Sequence, residues 1–175
     1  DVLEARDIVA RRLDQLNGVG SYQLVAQKGY LRLTLPDTQQ TPYIVDLVSH
    51  VGQIEFIDGG AASPPLGLRI QAGPDSSGED RYPVLFTAQD VEAVLPPQSE
   101  TGQIFYRLHL TPFGARRMAE FTAQHQGNYI CMVIDRQVIN CSSMYHLTDN
   151  NLDILPSLGS GNIVSLNDLA VFVKS

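Results

Sequence analysis

The chain is predicted to be an α+β protein in two lobes, with antiparallel or mixed sheets and helices packed on one side. Three observations carry this. Apolar residues recur at helical spacing over Asp1–Asn17 and again after Thr111. They alternate in short runs such as Tyr22–Ala26, Leu31–Leu35 and Ile104–Leu110, which is the period of half-buried strands. Finally, Gly/Pro clusters at Gly59–Pro65 and Pro96–Pro97 break the chain between these patterned stretches.

In order, Ala5, Val9, Leu13 and Leu16 form the inner stripe of the first helix, with Asp7 and Arg11 an i,i+4 pair outside. Two strands follow around a Lys28-Gly29 turn. Thr41-Pro42 starts a second helix that runs through Val48, and Gln53–Ile57 is a third strand. Three strands close no sheet readily, so this lobe is expected to borrow strands from elsewhere in the chain.

Beyond a Gly59–Pro65 connector, Leu66–Gln71 and Tyr82–Phe86 read as strands around an exposed polar loop, Gly73–Asp80. Thr87 is placed to cap a brief helix, Ala88–Val94, and Pro96–Glu100 marks a second break. Ile104–Leu110 is a strand. Thr111 then caps a helix with Pro112 in its first turn, where a missing N–H costs nothing. Ala115, Met118, Phe121 and Thr122 share one face, with Arg116, Arg117 and Glu120 turned to water. Gln126-Gly127-Asn128 stops that helix. Tyr129–Ile134 and Val138–Cys141 follow as strands of a hairpin around Asp135-Arg136-Gln137.

Composition bounds the function. The 175 residues suit one domain or two small lobes, and 43% hydrophobic residues is ordinary for a globular chain. A net charge of -7, with no basic cluster beyond Arg11-Arg12 or Arg116-Arg117, argues against a nucleic-acid partner. It also disfavours adhesion to anionic lipid. No run approaches the ~18 apolar residues of a membrane span, and no signal peptide precedes the first helix.

A search for chemistry leaves no catalytic set, metal site or cofactor site. His50, His109, His125 and His146 show no ligand spacing, and each reads as structural. Gly18-Val19-Gly20 follows a helix, which excludes a dinucleotide loop. Gly159-Ser160-Gly161-Asn162 lacks the lysine of a phosphate loop and reads as a tight turn. Ser142-Ser143 and His146 have no third partner at a recognisable spacing. Asp149, Asn150, Asn151 and Asp153 lack the glycine and terminal glutamate of a calcium loop, so a solvated loop is expected. The protein is therefore expected not to be an enzyme.

Cys131 and Cys141 flank the hairpin turn. A register pairing Ile134 with Val138 sets them directly opposite, which allows a cross-strand disulfide in an oxidising compartment. Two small buried hydrophobes, one per strand, is the other reading, and a one-residue slip would separate them.

Four stretches, in order, resemble the extracytoplasmic (first periplasmic, P1) domain of the SecD/SecDF protein-export family. The first is Ile8…Arg11-Arg12-Leu13…Gly18-Val19 and on through Leu31–Pro36; the second is Val51–Phe56, ending in Glu55-Phe56. The third runs from Phe113-Gly114-Ala115 through Met118–Thr122 and Gly127 to Ile130, Val133-Ile134-Asp135 and Val138-Ile139. The fourth is Ile163…Ser165–Ala170. Asp37 and Arg136 stand where the family pattern has glycine, and Cys141-Ser142-Ser143 replaces Ser-Ala-Pro.

The resemblance implies a ferredoxin-like base lobe over residues 1–57, a connector with hinge strands over 58–103, and an α+β head over 104–175. It implies a non-catalytic domain at the extracytoplasmic face of the bacterial membrane, with its membrane anchors outside these residues. Its partners would be unfolded preprotein in transit, the SecYEG channel and a SecF-like half, and proton-motive force through the parent protein would drive translocation. Gly59, Gly60, Pro64, Pro65, Pro96 and Pro97 become candidate hinges on this reading and ordinary loops otherwise. The alternative function is a stand-alone SecD-like binding module of a lipoprotein or single-span protein.

Overall fold

Asp1 caps the first helix reciprocally: its carboxylate accepts from the amides of Leu3 and Glu4, and the Glu4 side chain reaches back to the N-terminus. The computed structural model describes residues 1–16, 19–72, 81–96, 98–100, 103–143, 145–155 and 169–173. The chain divides into two units, Asp1–Val51 and Gly52–Val173.

The first unit holds α1 (Val2–Gln15), β1 (Gln23–Gln27), β2 (Tyr30–Thr34) and α2 (Thr41–Ser49). This is the αββα centre of a ferredoxin-like order. The strands pair antiparallel from Gln23↔Thr34 to Gln27↔Tyr30, so the turn is Lys28-Gly29, with Gly29 at φ +88°. Leu13, Val19 and Ile44 form its core, flanked by Val9, Leu16, Tyr22, Leu33, Leu35, Tyr43 and Val48. Outside, Asp7 pairs with Arg6 at 2.6 Å. Arg12 is 2% exposed and donates to the carbonyls of Leu47 (3.5 Å), His50 and Val51 (2.8 Å). A cation there satisfies the orphan carbonyls at the end of α2 and meets the negative end of its dipole.

The second unit holds β3 (Ile54–Gly60), β4 (Gln71–Ala72), β5 (Arg81–Tyr82), β6 (Val84–Thr87), β7 (Val91–Val94), β8 (Gln98–Glu100) and β9 (Gln103–Leu110). After these come α3 (Pro112–Gln124), β10 (Tyr129–Ile134), β11 (Gln137–Ser142), β12 (Tyr145–Thr148), β13 (Asn151–Ile154) and α4 (Leu169–Val173). One antiparallel sheet has the order β11-β10-β3-β6; a second runs β12-β13-β9-β7, with β8 also on β9. A short parallel pair, β4 with β5, makes the whole mixed. All of Ile130–Ile134 and Val138–Ser142 are buried, so the first sheet is covered on both faces. One cover is an apolar cluster of Ile57, Ile70, Cys131, Val133, Val138 and Cys141 with Leu66, Leu68, Tyr82 and Val84 against it. Helix α3 packs against β6, β9 and β12.

Several sequence expectations differ from this structure, each for a non-local reason. β3 pairs with β10 and β6 in the second unit, and the division between units falls at Val51/Gly52 rather than after Ile57. The expected helix Ala88–Val94 is a single 3-10 turn, Ala88–Asp90, followed by β7. Asp90 closes that turn by accepting from the Thr87 amide, and Val91 and Val94 then pair with Leu110 and Leu108. The break expected at Pro96–Glu100 contains β8, which pairs with the first residues of β9. The loop expected around Asp149 is the turn of the β12–β13 hairpin. Between Gly67 and Ile70 the expected strand is a strap on the outer edge of β11: Gly67 donates to Val138, which donates to Leu68, and Ile70 donates to Arg136.

The hairpin β10–β11 also departs from its expected register. Ile134 pairs with Gln137 and Val133 with Val138, so the turn is the two residues Asp135-Arg136. Both have positive φ, +48° and +66°, as a type I′ turn demands. A bulge after Met132 then restores the expected alignment, and Cys131 lies opposite Cys141.

Candidate functional site

The second unit is organised around that hairpin. Asp135 accepts from the amides of Gly52 (2.9 Å) and Gln53 (3.0 Å) and returns its own amide to the Gln53 carbonyl (3.0 Å). The turn thereby fixes the start of β3. At the other end of the hairpin the sulfurs of Cys131 and Cys141 are 2.01 Å apart, a disulfide across neighbouring strands, and both residues are buried. Gly59 lies over them: a Cβ there would come within 2.7 Å of Cys131 Sγ and 3.1 Å of Pro64 Cδ. The Pro64 carbonyl oxygen is 3.9 Å from Cys141 Sγ.

Of the residues read as hinges, Gly59 and Gly60 end β3, and Pro64 and Pro65 follow within the second unit. Pro96 lies between β7 and β8, and Pro97 is outside the described residues. The Gly159–Asn162 stretch is outside them too, as are most of the residues of the fourth family-like stretch.

Where β6 leaves β3, the sheet opens into a notch of 280 Å³ lined by Gly52–Glu55 and Thr87–Gln89. The last paired residues are Glu55 and Thr87; Ala88–Asp90 turn away instead of continuing opposite Ile54 and Gln53. Glu55 is 9% exposed, opposite the fully buried Val133. Burial pushes its carboxyl above the ordinary glutamate range; Arg136 and a 3.4 Å hydrogen bond from Gln53 Nε2 pull the other way and do not offset it. No motif in the sequence marks Glu55 as a site. The one local signal is an acid set inside the apolar run Ile54–Ile57.

The second sheet gathers polar side chains of its own. Arg107 and Asp153 make two 2.7 Å hydrogen bonds as cross-strand partners. His109 Nδ1 is 3.1 Å from Asn151 Oδ1, and its Nε2 is 3.4 Å from Glu92. The oxygens of Asn151 and Asp153, read above as part of an oxygen cluster, therefore serve strand pairing. His50 lies 3.7 Å from Asp46, His125 is the C-cap of α3, and His146 is exposed on β12. Elsewhere Asp58 accepts from Asn128 Nδ2 (3.0 Å) and the Gly60 amide (2.8 Å). Burial, then the charge of Asp58, raises the Tyr145 phenol. Among the described residues no group of three metal-ligating side chains converges, and no helix is long and apolar enough to cross a membrane.

Comparison with known proteins follows the same lines. No protein-family model matches the chain. It is 25% identical over 190 residues to the protein translocase subunit SecDF of Brucella abortus, covering 100% of this chain and 24% of that protein. It is 27% identical over 78 residues to the protein translocase subunit SecD of Thermobaculum terrenum, covering 44% of this chain and 15% of that one. The chain thus spans less than a quarter of the length of these curated relatives. A solved structure of SecDF, a membrane component that enhances protein export, shares its fold at a TM-score of 0.63 and 20% identity, over 99% of this chain and 86% of that one. SecDF in a super-membrane-facing form does so at 0.63 and 18%, over 99% and 26%. With a sequence likeness running its whole length, the chain is similar to part of the SecDF translocase subunit, and it has the fold of a domain in the solved SecDF structures.

Proposed function

We propose that this domain is the extracytoplasmic part of a SecD-like accessory subunit of the Sec translocase, and that it binds emerging preprotein without catalysing a reaction. The observation that carries the reading is the match to a SecDF translocase subunit along 100% of the chain. Through its parent protein the domain would work beside the SecYEG channel and a SecF-like half, with proton-motive force supplying the energy. An oxidising extracytoplasmic compartment also suits a disulfide between Cys131 and Cys141. An unfolded client has no fixed shape, so its capture rests on exposed apolar groups, strand edges and isolated polar contacts. Phe113 (54% exposed) and Ile104 (55% exposed) supply the first of these in the second unit.

The test is site-specific photocrosslinking in cells, in the full-length parent protein, with probes at Phe113 and Gln124. A secretory preprotein arrested in transit should give an adduct that disappears when export is blocked upstream. Active probes that never crosslink the preprotein would replace this reading with that of a stand-alone binding module.

A further inference from the structure

We propose that the notch between β3 and the Thr87–Gln89 turn receives a lysine or arginine side chain of a bound polypeptide, whose cationic head pairs with Glu55. This deepens the proposed client binding and rests on it. Three features of the site argue for a cation. Among the described residues, the Glu55 carboxylate has one hydrogen bond, the long 3.4 Å contact from Gln53 Nε2, although the residue is only 9% exposed. A carboxylate held this far from water is strongly stabilised by a partner that brings both charge and donors. Arg136 attracts it from the hairpin turn but makes no ion pair with it within 4 Å, so the internal cation does not take the place of a direct partner on the notch side, which Glu55 lines.

The second feature is shape. The notch exists because a capping box closes the 3-10 turn: Thr87 Oγ1 accepts from the Gln89 amide, and Asp90 accepts from the Thr87 amide. That turn takes residues 88–90 out of line with β3, leaving a slot of 280 Å³ at the sheet margin. Side-chain volume is available there; room for another strand is not, because Ala88 and Gln89 still line the far wall. The third feature is rigidity. One wall is held by Asp135 on the amides of Gly52 and Gln53, and the other by Thr87 and Asp90, so the slot is present before any ligand arrives. The overall charge of -7 favours a basic partner in the same sense.

The experiment is a titration of the 15N-labelled domain with unstructured peptides that differ in one central residue, lysine or norleucine, followed by amide shifts. With the lysine peptide, the amides of Gly52–Glu55 and Thr87–Gln89 should shift. Glu55→Gln should weaken that response roughly tenfold, the scale of one charge-assisted contact. Ala88→Leu, which fills the slot and leaves Glu55 in place, should abolish it. Equal responses to lysine and norleucine peptides, or an unchanged affinity in Glu55→Gln, would overturn the notch while leaving peptide binding standing. Shifts at the notch from N-acetyl-lysine methylamide, with no peptide bound anywhere, would keep the cation site and overturn the client reading.

Discussion

Asp135 and Gln53 exchange two hydrogen bonds: the Asp135 amide donates to the Gln53 carbonyl and the Gln53 amide donates to the Asp135 carboxylate, each at 3.0 Å. The same carboxylate takes the Gly52 amide at 2.9 Å. One side chain in a two-residue turn thus fixes where β3 begins. Asp135→Ala should destabilise the second unit by about 1.5–3 kcal/mol, the scale of hydrogen bonds to a charged acceptor. Urea denaturation measures this, and amide exchange at Gly52 and Gln53 should accelerate.

Arg12 acts in the first unit as Asp135 does in the second. Its guanidinium reaches the carbonyls of Leu47, His50 and Val51, just past the end of α2. Arg12→Met keeps the aliphatic stem and leaves those acceptors without their donor. A loss of roughly 3 kcal/mol is expected, with Arg12→Lys falling between the two. Native-state hydrogen exchange at Leu13 and Leu47 reports it for this unit alone.

Gly114→Ala tests the packing of α3. Alanine is the better helix former by at most about 1 kcal/mol. Against that, a Cβ at Gly114 would lie 2.9 Å from both Asp90 Cβ and the Asp90 carbonyl oxygen. That carbonyl already accepts from the Thr111 amide and cannot retreat freely. Overpacking of about 1–3 kcal/mol wins, so the variant should melt at lower temperature than the parent.

Glu55 gives a pH signature. Its folded-state value is raised by burial, so its contribution to stability is fully present below the ordinary glutamate value and lost as pH rises through the raised one. Glu55→Gln escapes that loss. The two proteins should be close in stability near about pH 4, with the variant the more stable near about pH 8. Urea midpoints at the two pH values decide it. In Arg136→Gly, removing the nearby cation should move the Glu55 titration further up.

The Cys131–Cys141 bond closes a short loop, with a sequence separation of 10. On the loop-entropy argument it contributes about 2–3 kcal/mol. The double substitution to serine should lose that amount, and full reduction of the parent should match it. Equal stability of oxidised and reduced parent would remove the bond from the account of this fold.

Much of the architecture is local and therefore legible. The α3–β10–β11 segment announces itself because Thr111, Pro112 and the 3.6-residue period agree with one another, as do the Gly127 stop and two apolar runs. What the sequence hid depends on distant partners. Val91 and Val94 sit at a spacing that suits one helical turn as well as a strand, and only β9 decides between them. Asn151 and Asp153 look like loop residues until Arg107 and His109 are set beside them from 40-odd residues away. The role of Arg12 was hidden because nothing near it in sequence shows that α2 ends against it. Glu55 was legible as a family-like residue and illegible as a site, since its burial is set by Val133 and its slot by the Thr87 turn.

The strap from Gly67 to Ile70 gives the first sheet a finished margin. Without it, the Arg136 carbonyl and the amide and carbonyl of Val138 would lie bare at the start of β11, a template on which an extended chain could stack. On the proposed function, the domain would meet such chains constantly. Covering that stretch of the margin with its own backbone removes a place where the sheet could grow by accretion, and on the proposed function contact with a client would stay reversible there instead of ending in a fibre seed.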